Sequence, residues 1–306
     1  MKESLLPGIV RVMPDTKSRW KGILLVNVAT FAWATNILLG RTLRSEVGPF
    51  VLTAGRYVVA SIVFFLLLKG RPVEERKGGT DGGLLIGMAL TGVVAFAPLL
   101  YYGLRFTTAV NGTLINGVGP LLTAVFGALL IGEPFTGRQI IGSVLALVGV
   151  LVLIGRNATQ FLQEPHLNVG DLWVLVAVVF WALYSVAGRK VMKSRSALSA
   201  TALSMWIGLP LLLVAAFLEV CYFPPLFNLR LFGILLYLGI VPAGIGFLSW
   251  NKGVQILGAG GAMVFYNMLP LYGSLLGLLL LKEPFAWTQM IGGACIVTGG
   301  VIAAKR

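Results

Sequence analysis

The chain repeats itself. Pro120, Leu121, Gly127, Leu129 and Leu130 return as Pro270, Leu271, Gly277, Leu279 and Leu280, each 150 residues later. Glu133-Pro134-Phe135 returns as Glu283-Pro284-Phe285, and Gln139, Ile141, Gly142 and Gly149 return as Gln289, Ile291, Gly292 and Gly299. A weaker echo, at an offset of 148, pairs Trp33-Ala34 with Trp181-Ala182 and Gly40-Arg41 with Gly188-Arg189. Whatever structure the first copy forms, the second must form too, and the two must pack together.

Composition fixes the solvent of that pair. The chain is 57% hydrophobic and 11% charged, against about 25% charged residues in a soluble domain. A globule of 306 residues has no interior large enough for so much apolar surface, so lipid must surround it. Only helices and closed barrels span hydrocarbon, because backbone polar groups find no water there. The apolar runs are about 20 residues long and do not alternate, so they read as helices.

Ten spans are predicted, near 21–40, 50–68, 83–102, 109–131, 137–155, 170–188, 199–218, 231–250, 260–281 and 286–304. The predicted units are a cytoplasmic tail (1–20), a first repeat of five spans (21–155), a linker (156–169) and a second repeat of five spans (170–306). Five is odd, so equivalent points in the two repeats face opposite sides of the bilayer and the repeat is inverted. The predicted fold is therefore an all-α membrane protein of ten transmembrane helices in two inverted five-helix repeats. Inverted duplication of this kind is characteristic of transporters.

The net charge of +13 does not point to nucleic acid, because the basic residues form no stripe with aromatic platforms. They sit in short loops. With both termini inside, 17 of the 24 Lys and Arg fall on the cytoplasmic side, which sets the orientation. Residues 1–20 carry Lys2, Arg11, Asp15, Lys17 and Arg19 and no long apolar core, so no cleavable signal peptide is expected. Cys221, Cys295 and His166 make neither a disulfide framework nor a metal motif, and no cofactor is expected. No catalytic motif occurs: Walker A, HExxH and GxSxG patterns are missing.

The segment Tyr102-Gly103-Leu104-Arg105-Phe106-Thr107-Thr108-Ala109, then Pro120, Gly132-Glu133-Pro134-Phe135-Thr136, Gln139 and Gly142, resembles the EamA repeat of the drug/metabolite transporter superfamily. The echo around Pro270 and Glu283-Pro284 resembles it as well, so the likeness covers roughly residues 21 to 305. Within the superfamily the chain is most similar to bacterial YddG-type exporters of amino acids, aromatic ones included. That resemblance implies ten helices in two inverted halves and a bacterial inner membrane. It also implies a central cavity walled mainly by spans one, three, four, six, eight and nine.

Four groups of residues are candidates for chemistry. Glu133-Pro134 and Glu283-Pro284 end a span, and Thr136-x-x-Gln139 beside the first reads as a helix start, so a structural turn ranks ahead of a proton site. Pro120 and Pro270 break backbone hydrogen bonding near mid-span and are candidate hinges. The small residues around them read equally well as close helix packing. Trp33, Asn36, Tyr101, Tyr102, Asn116, Trp181, Tyr184, Ser185, Trp250, Tyr266 and Asn267 are candidates for a substrate cavity. Interfacial anchoring competes for Tyr101, Tyr102 and Trp250. Buried amides at Asn36, Asn116 and Asn267 need a partner or a wet cavity. Arg56 lies inside span two, and a structural or snorkelling role ranks first for it.

No Asp or Glu sits at the centre of any span, so facilitated diffusion ranks ahead of proton coupling. The expected function is export of amino acids or related metabolites by alternating access, with a small-molecule substrate and the lipid bilayer as partners. A proton-coupled drug or organic-cation exporter is the rival carrier, and it would need a mid-membrane carboxylate. A lipid-modifying membrane enzyme would need a catalytic cluster facing an interface. A membrane scaffold would need no amides or prolines at depth.

Overall fold

The computed structural model describes residues 16–73, 81–132, 137–154, 168–266 and 268–304. Helices dominate, and no strand occurs among the described residues. The helices are α1 (Thr16–Thr42), α2 (Pro49–Leu68), α3 (Gly82–Gly103), α4 (Ala109–Ile131), α5 (Gly137–Ile154), α6 (Val169–Val191), α7 (Ala197–Tyr222), α8 (229–266), α9 (Met268–Leu281) and α10 (Trp287–Ala304). Seven stretches are long and apolar enough to cross a membrane, in α1–α4 and α6–α8; α5, α9 and α10 supply shorter apolar helices. Their outer faces carry Phe31, Ile62, Phe65, Leu130, Leu151, Val214, Phe217 and Leu279, all exposed. A continuous apolar exterior is stable only in lipid.

Helix starts follow cap chemistry. Thr108 accepts the Asn111 N–H at 3.1 Å to open α4. Asn168 accepts from Gly170 and Asp171 at α6, Ser196 from Ser199 at α7, and Asn228 from Leu231 at α8. The second copy lacks such a cap where the first has Thr108. Residues 252–261 contain no Ser, Thr, Asp or Asn, and the expected loop between spans eight and nine is helical instead, within Phe247–Tyr266. This corrects the predicted boundary: a glycine-rich run ends a helix only where something else satisfies the freed backbone groups.

Packing between the copies is reciprocal. α1 packs on α8 and α9, and its counterpart α6 packs on α3 and α4. α2 pairs with α7, α4 with α9 and α5 with α10. The α5–α10 seam shows the exchange atom by atom. A Cβ at Gly149 would lie 2.5 Å from the Gly292 carbonyl oxygen, and one at Gly299 would lie 2.5 Å from that of Gly142. These four glycines are two of the pairs the sequence repeats, and contact this close between helix backbones excludes any side chain.

Polar links across the copies sit near helix ends. Glu283 accepts the backbone N–H groups of Ala109 (2.9 Å) and Val110 (3.1 Å), with the Arg41 Nε 3.7 Å away. A carboxylate from the second copy thus caps α4 of the first, at the positive end of its dipole. The buried Asp171 takes hydrogen bonds from Thr107 and Asn111, and Asn111 in turn accepts from Gln289 at 2.8 Å. That network ties α4, α6 and α10 together.

Candidate substrate cavity

α3 and α8 each contain one stretch of wider, π-helical winding, at Ala89–Phe96 and Gly239–Gly246. The two stretches are 150 residues apart end for end, so the distortion itself is duplicated. π-turns misalign backbone groups and cluster at functional sites. Here the Pro242 carbonyl accepts the Trp33 indole N–H at 3.2 Å. In the other copy, Gly92 clears room for the Tyr184 ring: a Cβ there would meet a ring carbon at 2.2 Å.

Between α1, α3, α4, α6 and α8 the aromatic side chains gather. The Trp33 ring lies 6.3 Å from Trp181, 5.7 Å from Phe247, 5.4 Å from Trp250 and 6.0 Å from Tyr266. Trp181 stacks on Tyr184 at 5.1 Å and leans on Phe96 at 4.9 Å. Two cavities flank this cluster. The larger, about 180 Å³, extends past Pro120 and Thr123 to Met88, Ser185, Arg189 and Thr201. The smaller, about 50 Å³, is bounded by Asn36, Arg56, Tyr57, Leu100 and Asn116. A single water occupies about 10–15 Å³ by this measure, so the larger space suits a small organic solute. Trp33, Trp181, Phe247 and Tyr266 line both cavities and therefore form the partition between them.

Most of the expected cavity residues meet here. Trp33, Trp181, Tyr184, Ser185, Trp250 and Tyr266 line the larger space, and Asn36 and Asn116 the smaller. Tyr101 lies behind the wall and donates to Asn36 Oδ1 at 2.6 Å. Tyr102 is placed apart: it is 40% exposed and sits edge-on to Phe106 and Trp173 on the outer surface. Its neighbour Tyr101 takes the inward direction, and a helix cannot turn adjacent side chains to one side. Asn267 falls outside the described residues, as do Glu133 and Pro134.

Asn116, which lines the smaller cavity, donates its amide N–H to the Gly112 carbonyl at 2.9 Å. Pro120 stands just after a break in α4 at Gly117–Val118 and lines the larger cavity, while Pro270 packs on Gly117 from α9. Pro284 is exposed beyond the Glu283 cap. The Ala286 N–H donates to Gln289 at 2.7 Å, which closes the next helix start from its own side chain.

Sequence reasoning missed Met88, Phe96, Tyr57 and Phe247 as lining. Met88, Phe96 and Phe247 are ordinary apolar residues in apolar runs and Tyr57 is a single tyrosine in another, so composition does not mark them; Phe96 ends the π-helical stretch of α3. No Asp or Glu lines either cavity among the described residues.

A duplicated helical chain with a cavity between its copies is the architecture of a membrane carrier. The chain belongs to the EamA-like transporter family, which matches residues 20–155 and again 168–304. It is similar to the uncharacterized transporter YyaM of Bacillus subtilis, 27% identical over 284 residues and covering 92% of each chain. It is also similar to a probable terminal-alkyne amino-acid exporter of Streptantibioticus cattleyicolor, 25% identical over 308 residues, 96% of this chain and 95% of that one. A crystal structure with 23% identity shares the fold, with a TM-score of 0.63 over 92% of this chain and 96% of the other. The protein is a multi-pass membrane transporter of this family.

Proposed function

We propose that the protein exports amino acids, aromatic ones included, or closely related metabolites, by alternating access without ion coupling. Two inverted repeats of five spans, residues 21–155 and 170–306, rock about the shared aromatic partition, with Pro120 and Pro270 as hinges. Both termini face the cytoplasm of a bacterial inner membrane, so the larger cavity, bordered by Arg189, opens inward. One observation carries the reading: an aromatic-walled space with a few amides lies at the junction of the two copies. Such walls suit a solute with an apolar side chain and a polar head. The name of the Streptantibioticus relative supports the same substrate class. A carboxylate-free lining supports facilitated diffusion over exchange for protons.

The test is counterflow of labelled L-phenylalanine, L-leucine and L-alanine in proteoliposomes, with and without a pH gradient. Saturable counterflow indifferent to the gradient is expected. Accumulation driven by the gradient overturns the uncoupled mechanism, and the absence of counterflow with every amino acid overturns the substrate class.

A further inference from the structure

Arg56 is 6% exposed, lines the smaller cavity and has no acidic partner among the described residues. Nη1 donates to Asn36 Oδ1 at 2.6 Å and Nη2 to the Tyr57 hydroxyl at 2.9 Å, while the buried Nε has no partner. The guanidinium also lies 4.5 Å from the Tyr57 ring centre and 5.3 Å from that of Tyr101. These are neutral groups. They solvate the cation in part and leave its charge uncompensated, an arrangement that is costly at membrane depth. A guanidinium has five N–H donors, and here two are used. Asn116 lines the same cavity with its oxygen not engaged by the bond to Gly112, and Trp33, Trp181 and Tyr266 line it too.

We propose that Arg56 is the substrate's carboxylate anchor, so that the carrier selects carboxylates with a hydrophobic body and rejects the matching amines. The proposal rests on the transport reading above and sharpens it. A carboxylate that reaches the guanidinium accepts the Nε–H, which is buried and without a partner in this state, and a second N–H as a bidentate pair, which supplies the missing counter-charge. An α-ammonium group then reaches the Asn116 oxygen and the aromatic faces. Passage from the larger cavity to Arg56 requires the four-ring partition to rearrange, so the anchor is reached only as the carrier changes state.

The test is binding to the full-length protein in nanodiscs, read by quenching of tryptophan fluorescence, since Trp33 and Trp181 line the site. The probes are L-phenylalanine, 3-phenylpropanoate, L-phenylalanine amide and phenethylamine. The wild type is expected to bind both carboxylates at least about tenfold tighter than the amide and the amine, the scale of one charged hydrogen bond. Arg56→Gln is expected to abolish that preference. Asn36→Asp keeps the hydrogen-bond geometry, supplies an internal anion 2.6 Å from the guanidinium, and is expected to abolish the preference in a fully folded protein. Equal binding of acid and amine by the wild type, no carboxylate binding, or a preference that survives in folded Asn36→Asp overturns the anchor. The two readings fail differently. Amino-acid counterflow that ignores Arg56→Gln removes the anchor alone. Binding of 3-phenylpropanoate through Arg56 without any amino-acid counterflow removes the amino-acid reading alone.

Discussion

The two copies place different chemistry at matched positions. Asn36 and Arg56 stand 148 residues before Tyr184 and Ser204. In the first copy that pair is a buried guanidinium on an amide oxygen. In the second it is a phenol lying beside Thr201 and Ser204, with no charge. The backbone frame is common: each copy has its tryptophan on α1 or α6, its π-turn on α3 or α8 and its glycine seam on α5 or α10. The packing positions therefore match between the copies, and these polar positions do not. A symmetric frame with one-sided polarity orients a solute that has two unlike ends, which an identical pair of walls does not do.

The largest effect is expected at the clasp between the copies. Glu283→Ala strands the α4 N–H groups and a nearby arginine, and should lower stability by about 2–4 kcal/mol in thermal unfolding. Glu133→Ala asks whether the first copy clasps equally; a matching loss makes the exchange symmetric, and a neutral result makes the clasp one-sided. Next comes the pair of π-turns. Gly92→Ala drives a methyl into Tyr184 and should cost about 1–3 kcal/mol and reduce flux. Gly244→Ala meets nothing closer than 3.5 Å and should be neutral or slightly stabilising. Third, Trp181→Ala should cut counterflow by about tenfold with membrane expression intact, because it removes one side of the partition. Unchanged flux would take Trp181 out of the transport path. The smallest effect belongs to Ser204→Ala, whose neutral site should shift stability by less than about 0.5 kcal/mol.

Much of this was legible before any coordinates. The apolar run predicts span four at 109–131, and Ala109–Ile131 is helical there apart from a break at Gly117–Val118. The tryptophan pair announced itself through the 148-residue echo. Three things stayed hidden, each for a physical reason. The π-turns leave no trace in hydropathy, since winding changes side-chain direction without changing composition. Glu283 was read through its own Pro284 turn, whereas its carboxylate caps a helix 174 residues away. Arg56 was ranked as structural because it lies near an interface. That its buried Nε has no partner depends on which residues of other helices surround it, and a one-dimensional pattern does not carry that.

The four rings of the partition have one more consequence. Trp33 meets Trp181 and Phe247 near edge-on and Tyr266 at a tilt, so the wall that both cavities share is built of rings with few polar atoms. On the transport reading proposed above, such a wall would open for a bound solute while giving water and ions few polar groups to follow.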